Sequence, residues 1–294
     1  MKAYLFPGQG SQHIGMGKAL YDHSAEARQL FEKANQILDM ELTQLMFEGS
    51  EEALKETLIA QSAIFVCSTI VATLAHLTPP MAVAGHSLGE ISALVTAQVI
   101  TFEEGLQLVA TRSKAMQACC KLIPGTMAAV IGLGDQLVQN ICAAITAEIV
   151  VAANYNCPGQ LVISGTQAGV AQASQALIQA GALKVIPLKV AGAFHSPLMK
   201  NAQKAFKSAL DAITFATAIC PVYQNVTGLP VTDPETIKQQ LLEQLVSPIY
   251  WTATINQMEK DGITEYIECG PGHVLQKLVR KINPTAKVSS LMVG

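Results

Sequence analysis

The stretch Met81-Ala82-Val83-Ala84-Gly85-His86-Ser87-Leu88-Gly89-Glu90 reads as a strand, a sharp turn and the start of a helix. Small apolar residues over 81–85 suit a short buried strand, and Ile91, Leu94 and Val95 fall on one side of a helix that starts near Gly89. The Gly-x-Ser-x-Gly turn between them is the pattern of a nucleophile elbow, with Ser87 at its tip. The flanking glycines lack Cβ atoms, so strand and helix can approach closely. The serine hydroxyl then faces a helix N-terminus, where free N–H groups can hold a developing oxyanion. A glycine-rich connection without chemistry is the alternative, and the strand and helix on either side favour the elbow.

The flanking segments repeat the alternation. Residues 3–6 form a strand that leads into the loop Pro7-Gly8-Gln9-Gly10-Ser11-Gln12, and helical segments occupy much of 16–75. Thr101 and Glu104 make a capping box for a helix that ends before Pro124-Gly125. Strands alternating with helices predict a parallel, layered α/β core. Residues 125–192 follow another order: strand 126–133, helix 135–147, strands 149–153 and 160–164, helix 166–180 and strand 183–190. This β-α-β-β-α-β order predicts a ferredoxin-like subdomain at 125–192, inserted into a core built from 1–124 and 193–294. The core resumes with a helix after Pro197, a strand near Val222 and a strand at Tyr266-Ile267, ahead of Gly270-Pro271-Gly272.

Composition narrows the function classes. The chain has 294 residues, 50% of them hydrophobic and 14% charged, too apolar for a disordered chain. Its length suffices to bury about three-quarters of the unfolded surface without disulfides or a metal. A net charge of -3 argues against a surface given over to nucleic acid. The mean hydropathy of +0.33 raises the question of a membrane. The most apolar stretch, around residues 63–75, is broken by Ser68 and Thr69 and falls short of the ~20 residues of a span. Met1-Lys2 leads straight into the first strand, leaving no room for a signal peptide, so a soluble cytoplasmic protein is expected. The 7 cysteines form no C-x-x-C pair and fit a reducing compartment, packed as small hydrophobes. The 6 histidines include no metal-spaced cluster, so no metal is expected.

Ser87 needs a base. His86 adjoins it, but neighbouring side chains on a tight turn point apart. His195, in Ala193-Phe194-His195-Ser196-Pro197, stands just before a helix with Ser196 as N-cap and Pro197 at its first position. Such a rigid loop end suits a catalytic side chain. A helix-entry histidine that bonds its own backbone is the other reading of these residues alone.

Motifs spread along the chain join these two residues to a known family. They are Phe6-Pro7-Gly8-Gln9-Gly10-Ser11-Gln12, Gly85-His86-Ser87-Leu88-Gly89-Glu90, Ala110-Thr111-Arg112-Ser113, Asn154-Tyr155-Asn156-Cys157-Pro158-Gly159-Gln160, Gly192-Ala193-Phe194-His195-Ser196, Asn225-Val226-Thr227-Gly228 and Glu268-Cys269-Gly270-Pro271-Gly272. In order and spacing they resemble the malonyl-CoA:acyl-carrier-protein transacylases, including the discrete acyltransferases of polyketide synthases. The fold implied by the resemblance is a hydrolase-like α/β core with an inserted ferredoxin-like subdomain, in agreement with the element order.

The resemblance also implies roles. Ser87 attacks the malonyl thioester and His195 serves as general base, then as acid toward the leaving thiol. The backbone N–H groups of Gln9 and Leu88 form the oxyanion hole. The imidazole is oriented by a backbone carbonyl near Ser247 in Gln244-Leu245-Val246-Ser247-Pro248, without an acidic third member. Arg112 pairs with the free malonyl carboxylate, a bidentate geometry that suits a guanidinium. A solvated helix arginine is its ordinary alternative. Gln244 and Phe194 are expected to contact substrate. The family binds no cofactor: malonyl-CoA is a substrate, and phosphopantetheine arrives on the acyl carrier protein. No nucleic acid or membrane partner is implied, and a monomer is expected.

Two positions depart from the family pattern. Ser62 stands where the family usually has Pro, and Gly192 stands where polyketide members often carry His. Phe194 and Leu88 resemble the malonyl-selecting members. Together with the short N-terminus, the segment 192–195 tilts the reading toward a discrete polyketide acyltransferase. A hydrolase that edits acyl groups on carrier proteins would share Ser87 and His195, and Arg112 speaks against it because such acyl chains lack a terminal carboxylate. A docking module without chemistry would not need the three residues intact. For carrier docking, Lys277, Arg280 and Lys281 form one basic cluster, and Lys200, Lys204 and Lys207 share a face of the helix after His195.

Overall fold

The side chains of β1 (Lys2–Phe6) alternate between two apolar layers: Tyr4 and Phe6 enter one core cluster, Ala3 and Leu5 another. The computed structural model describes residues 1–75, 80–190 and 192–291. The domain ranges read from the sequence include 76–79, 191 and 292–294, which lie outside the described residues. β1 pairs in parallel with β2 (Ala82–Gly85) and β9 (Glu265–Glu268), a connection that requires crossovers on the sheet faces. The remaining strands are β3 (Gly125–Ile131), β4 (Val150–Cys157), β5 (Gln160–Thr166), β6 (Lys184–Pro187), β7 (Val222–Tyr223), β8 (Pro230–Val231) and β10 (Lys287–Ser290).

Two sheets result. The first runs β10-β9-β1-β2-β7-β8, parallel except for the β7–β8 pair, and is covered on both faces. On the Tyr4/Phe6 side lie the helices Thr57–Leu74, Gly89–Thr96, Phe102–Leu122 and Lys200–Asp211, and on the other Trp251–Lys260 and Val274–Ile282. The second sheet, β4-β5-β3-β6, is antiparallel. Ala128, Val130, Leu161 and Ile163 pack on its helices Asp135–Ala144 and Gln167–Gln179, whereas Met127, Ala153 and Val162 join the large core. Residues 125–187 therefore follow the strand and helix order expected from the sequence.

The differences have local causes. The helix expected at 135–147 ends at Ala144, where the β-branched pair Ile145-Thr146 begins and Ile145 is extended. The strand expected at 149–153 runs on to Cys157 through two bulges, which break the alternation and mask it in the sequence. The strand expected at 183–190 is only Lys184–Pro187, with one more bond beyond it, from the Leu188 N–H to the Met127 carbonyl at 2.9 Å. The helix Thr57–Leu74 is long and apolar enough to cross a membrane, yet 78% of it is buried inside the protein. It is a core helix.

Candidate active site

The carboxyl ends of the parallel strands converge on one place, as ligand sites in such sheets do. β1 delivers the loop with Gln9, β2 delivers Ser87, β7 leads to Asn225 and β9 leads to the helix Val274–Ile282. The elbow is tight. A Cβ on Gly85 would overlap the backbone of Gly89 and Glu90, and one on Gly89 would overlap the Phe6 carbonyl. Ser87 has φ 54° and His195 φ 58°, conformations that cost a non-glycine residue about 1–3 kcal/mol each. Both halves of the predicted pair are thus held in strained backbone.

The structure joins them. Ser87 Oγ donates to His195 Nε2 at 2.8 Å, and His195 Nδ1–H donates to the backbone carbonyl of Gln244 at 2.9 Å. That second bond fixes the tautomer with Nε2 free to accept a proton. Burial, then the Arg112 charge, push the His195 imidazole down to about 3, against the opposing pull of the Gln244 carbonyl. It is therefore a neutral acceptor at neutral pH. The sequence reading placed the orienting carbonyl at Ser247, and the structure corrects this to Gln244. Gln244 caps the helix Pro234–Glu243, where the last-turn carbonyls have no intrahelical partner, and one of them is left for the imidazole. His86 is no competitor: its Nε2 meets Asn156 Oδ1 at 2.9 Å and its ring packs against Trp251.

Arg112 is 0% exposed and not a solvated helix arginine. Nη1 donates to Gln61 Oε1 at 2.7 Å, and Nη2 donates to Gln244 Oε1 at 2.9 Å and to Ser87 Oγ at 3.1 Å. Nε has no partner among the described residues. Every group it touches is neutral. Burial pulls its pKa down to about 10, with the nearby Glu90 opposing. A buried guanidinium without an anionic contact is costly, and Arg112 does not itself line the cleft, although Gln61 and Ser87, which it holds, do. Gln244, expected to contact substrate, is fully buried and does not line the cleft; it spans Arg112, the Ser87 carbonyl and the His195 ring instead. A glutamine at a helix end has reach in three directions, through its carbonyl and both ends of its amide.

The cleft above Ser87 holds about 500 Å³. Gln9 and Leu88 line it, and among the described residues neither amide N–H has an acceptor. Phe194 lines it as well while only 6% exposed, so it is both wall and core. The bulged β4 supplies Asn154 and Asn156, and the helix Val274–Ile282 supplies Val274, Leu275 and Leu278 at one edge. On that same helix Lys277, Arg280 and Lys281 are exposed, and Lys281 Nζ reaches Gln160 Oε1 at 3.0 Å. Lys200, Lys204 and Lys207 are exposed too, but none lines the cleft and Lys207 pairs with Asp211. Gly192 packs on Cys120, whose Sγ would have to move to admit a Cβ there.

Three residues of the site were given no role in the sequence reading, although Glu90 and Asn225 stand in its motifs. Gln61 holds Arg112, Asn225 accepts the Ser87 N–H at 2.7 Å, and Glu90 accepts the Asn225 N–H at 2.8 Å. Gln61 had a signal: a polar residue in the most apolar helix. Glu90 is buried, and desolvation lifts its carboxyl to about 7 against the Asn225 N–H, Gln244 and Arg112.

The chain is similar to known proteins over nearly its whole length. Residues 3–291 match the acyl transferase domain family. A malonyl CoA-acyl carrier protein transacylase of Bacillus subtilis is 43% identical over 97% of this chain and 91% of its own length. An acyl carrier protein S-malonyltransferase from Vibrio cholerae superposes with a TM-score of 0.94 at 38% identity, covering 98% of this chain and 96% of that one. A malonyl-transacylase solved in complex with its type II PKS acyl carrier protein superposes at 0.93 and 35% identity, covering 98% and 94%.

Proposed function

The chain belongs to the acyl transferase domain family, with the malonyl-CoA:acyl carrier protein transacylases as its relatives, and we propose the following course for its reaction. It is an acyltransferase that moves a malonyl group from malonyl-CoA to the thiol of an acyl carrier protein. Ser87 Oγ attacks the thioester carbonyl while its proton passes to His195 Nε2. The oxyanion is received by the N–H groups of Gln9 and Leu88. The carbon–sulfur bond breaks, CoA leaves as a thiol with the proton from His195, and malonyl-Ser87 remains. The phosphopantetheine thiol then gives its proton to His195 and attacks the ester, and Ser87 recovers the proton as it leaves. Arg112 holds the free carboxylate through both half-reactions.

One observation carries the reading: a fully buried guanidinium, contacted only by neutral groups, reaches the candidate nucleophile at 3.1 Å. Hydrolysis of simple acyl chains gives that charge nothing to bind. We read the six-stranded unit, 1–124 with 193–294, as a hydrolase-like core, and 125–192 as a ferredoxin-like insert, supported by the strand order β4-β5-β3-β6. Carrier docking on Lys277, Arg280 and Lys281 is supported by their exposure on a helix that edges the cleft. Seven buried, free thiols support a reducing cytoplasmic setting.

Intact-mass measurement after mixing with malonyl-CoA tests the reaction. One malonyl adduct is expected on the native protein and none on Ser87→Ala; an unchanged adduct on that variant would remove Ser87 from the chemistry.

A further inference from the structure

Ser87 sits in a backbone conformation that its own side chain does not favour, so something must hold it there. One side chain grips the turn on both sides. Asn225 Oδ1 accepts the Ser87 N–H at 2.7 Å, and Asn225 Nδ2 donates to the Gly85 carbonyl at 2.6 Å. These are the peptide groups that lose strand partners where β2 bends into a helix, and a carboxamide offers its donor and its acceptor on two separate atoms, one for each. Asn225 follows β7, which pairs with β2, so its backbone enters the site from the next strand. It is itself fixed: its N–H donates to Glu90 Oε2 at 2.8 Å, and its carbonyl accepts the Tyr250 N–H at 2.9 Å. Glu90 lies in the first turn of the helix that the elbow opens and is buried, and neither residue lines the cleft.

The contacts form a closed ring from the elbow to its helix, through Glu90 to Asn225, and back to Gly85 and Ser87. We propose that Asn225, braced by Glu90, is a positioning residue that aims Ser87 Oγ at His195 Nε2; this rests on the reading of Ser87 as nucleophile. The ring acts on the direction of one hydroxyl, so its loss slows chemistry and leaves substrate binding in place.

The test is single-turnover acylation by malonyl-CoA, read by quenched intact mass. Asn225→Ala should still reach a full adduct, about 100-fold more slowly, the scale expected for a displacement of ~1 Å at a reacting atom. Its half-saturation by malonyl-CoA should stay within about threefold of the native value, a factor worth under ~1 kcal/mol. Asn225→Asp keeps the shape and the acceptor for the Ser87 N–H but sets an oxygen against the Gly85 carbonyl, and it should also be slow. It carries the test if Asn225→Ala does not fold. Glu90→Ala should slow acylation, and Glu90→Gln, which keeps an acceptor for the Asn225 N–H, should recover most of the rate. A folded Asn225→Asp acylating at the native rate overturns the proposal, as does a loss lying wholly in half-saturation. Ser87→Ala in the same series separates the two failures: an adduct there contradicts the nucleophile itself, whereas none there with native-rate Asn225 variants contradicts the ring alone.

Discussion

His195 Nδ1 donates to the main-chain carbonyl of Gln244 at 2.9 Å, and the side chain of the same glutamine accepts from Arg112 at 2.9 Å. One residue therefore sets the tautomer of the base and the position of the guanidinium. In hydrolase-type triads an acid fills the first role. Here a neutral carbonyl does, so no carboxylate beside the imidazole offsets its desolvation or the Arg112 charge.

The pH dependence follows from that arrangement. The folded His195 is held down to about 3, first by burial and then by Arg112, against ~6.5 for the unfolded side chain. A rate that needs neutral His195 should stay flat from about pH 8 to about pH 5 in single-turnover acylation. Arg112→Ala, assayed with acetyl-CoA, should move the acid limb upward without carrying it past ~6.5, because burial is the larger cause. For stability, the unfolded state takes up a proton near pH 6.5 that the folded state refuses. The His195 contribution is therefore intact above about pH 6.5 and is lost as pH falls from there toward about 3. Glu90, lifted to about 7, contributes with the opposite sign as pH falls below that value. The His195 share is therefore read as the difference in denaturation midpoint between the native protein and His195→Gln, which should shrink as pH falls through the window.

Phe194 lines the cleft from a nearly buried position, so its replacement should have two effects. Phe194→Ser should raise methylmalonyl relative to malonyl turnover, but a pocket wall discriminates one methyl by only ~1–3 kcal/mol. The cavity left in the core should also lower stability by about 3–5 kcal/mol. Competition between the two CoA esters measures the first effect and chemical denaturation the second. A native selectivity ratio would take Phe194 out of the pocket.

Charge reversal at Arg280 and Lys281 should raise the KM for carrier protein while self-acylation from malonyl-CoA stays largely intact. The effect should shrink as salt rises, since exposed charges are screened over ~10 Å at 0.1 M. An unchanged carrier KM at low salt would move docking to another surface, with Lys200 and Lys204 the next to test.

What could be read in the sequence was local. The elbow is legible because strand, glycines and helix are contiguous, and the capping box at Thr101 and Glu104 forms as its spacing predicts. The choice of Gln244 over Ser247 was not legible: it depends on which last-turn carbonyl meets a ring 49 residues away. The Glu90–Asn225 bond joins residues 135 apart, and a glutamate near a helix start reads as an ordinary first-turn acid until the fold buries it. Arg112 shows the same limit. Its helix was expected, but arginine composition alone points to solvent, and only the resemblance assigned it to a ligand. The short strands β8 and β10 carry too few residues for a period of two to register.

The most direct test of the account compares acylation of the native protein and Arg112→Ala by malonyl-CoA and by acetyl-CoA under single turnover. A charge-assisted pair is worth ~1.5–3 kcal/mol. Malonyl transfer should therefore fall roughly 10- to 100-fold, while acetyl transfer is kept or rises. Equal losses with both esters would contradict the assignment, leaving Arg112 a structural residue and the carboxylate to be read elsewhere.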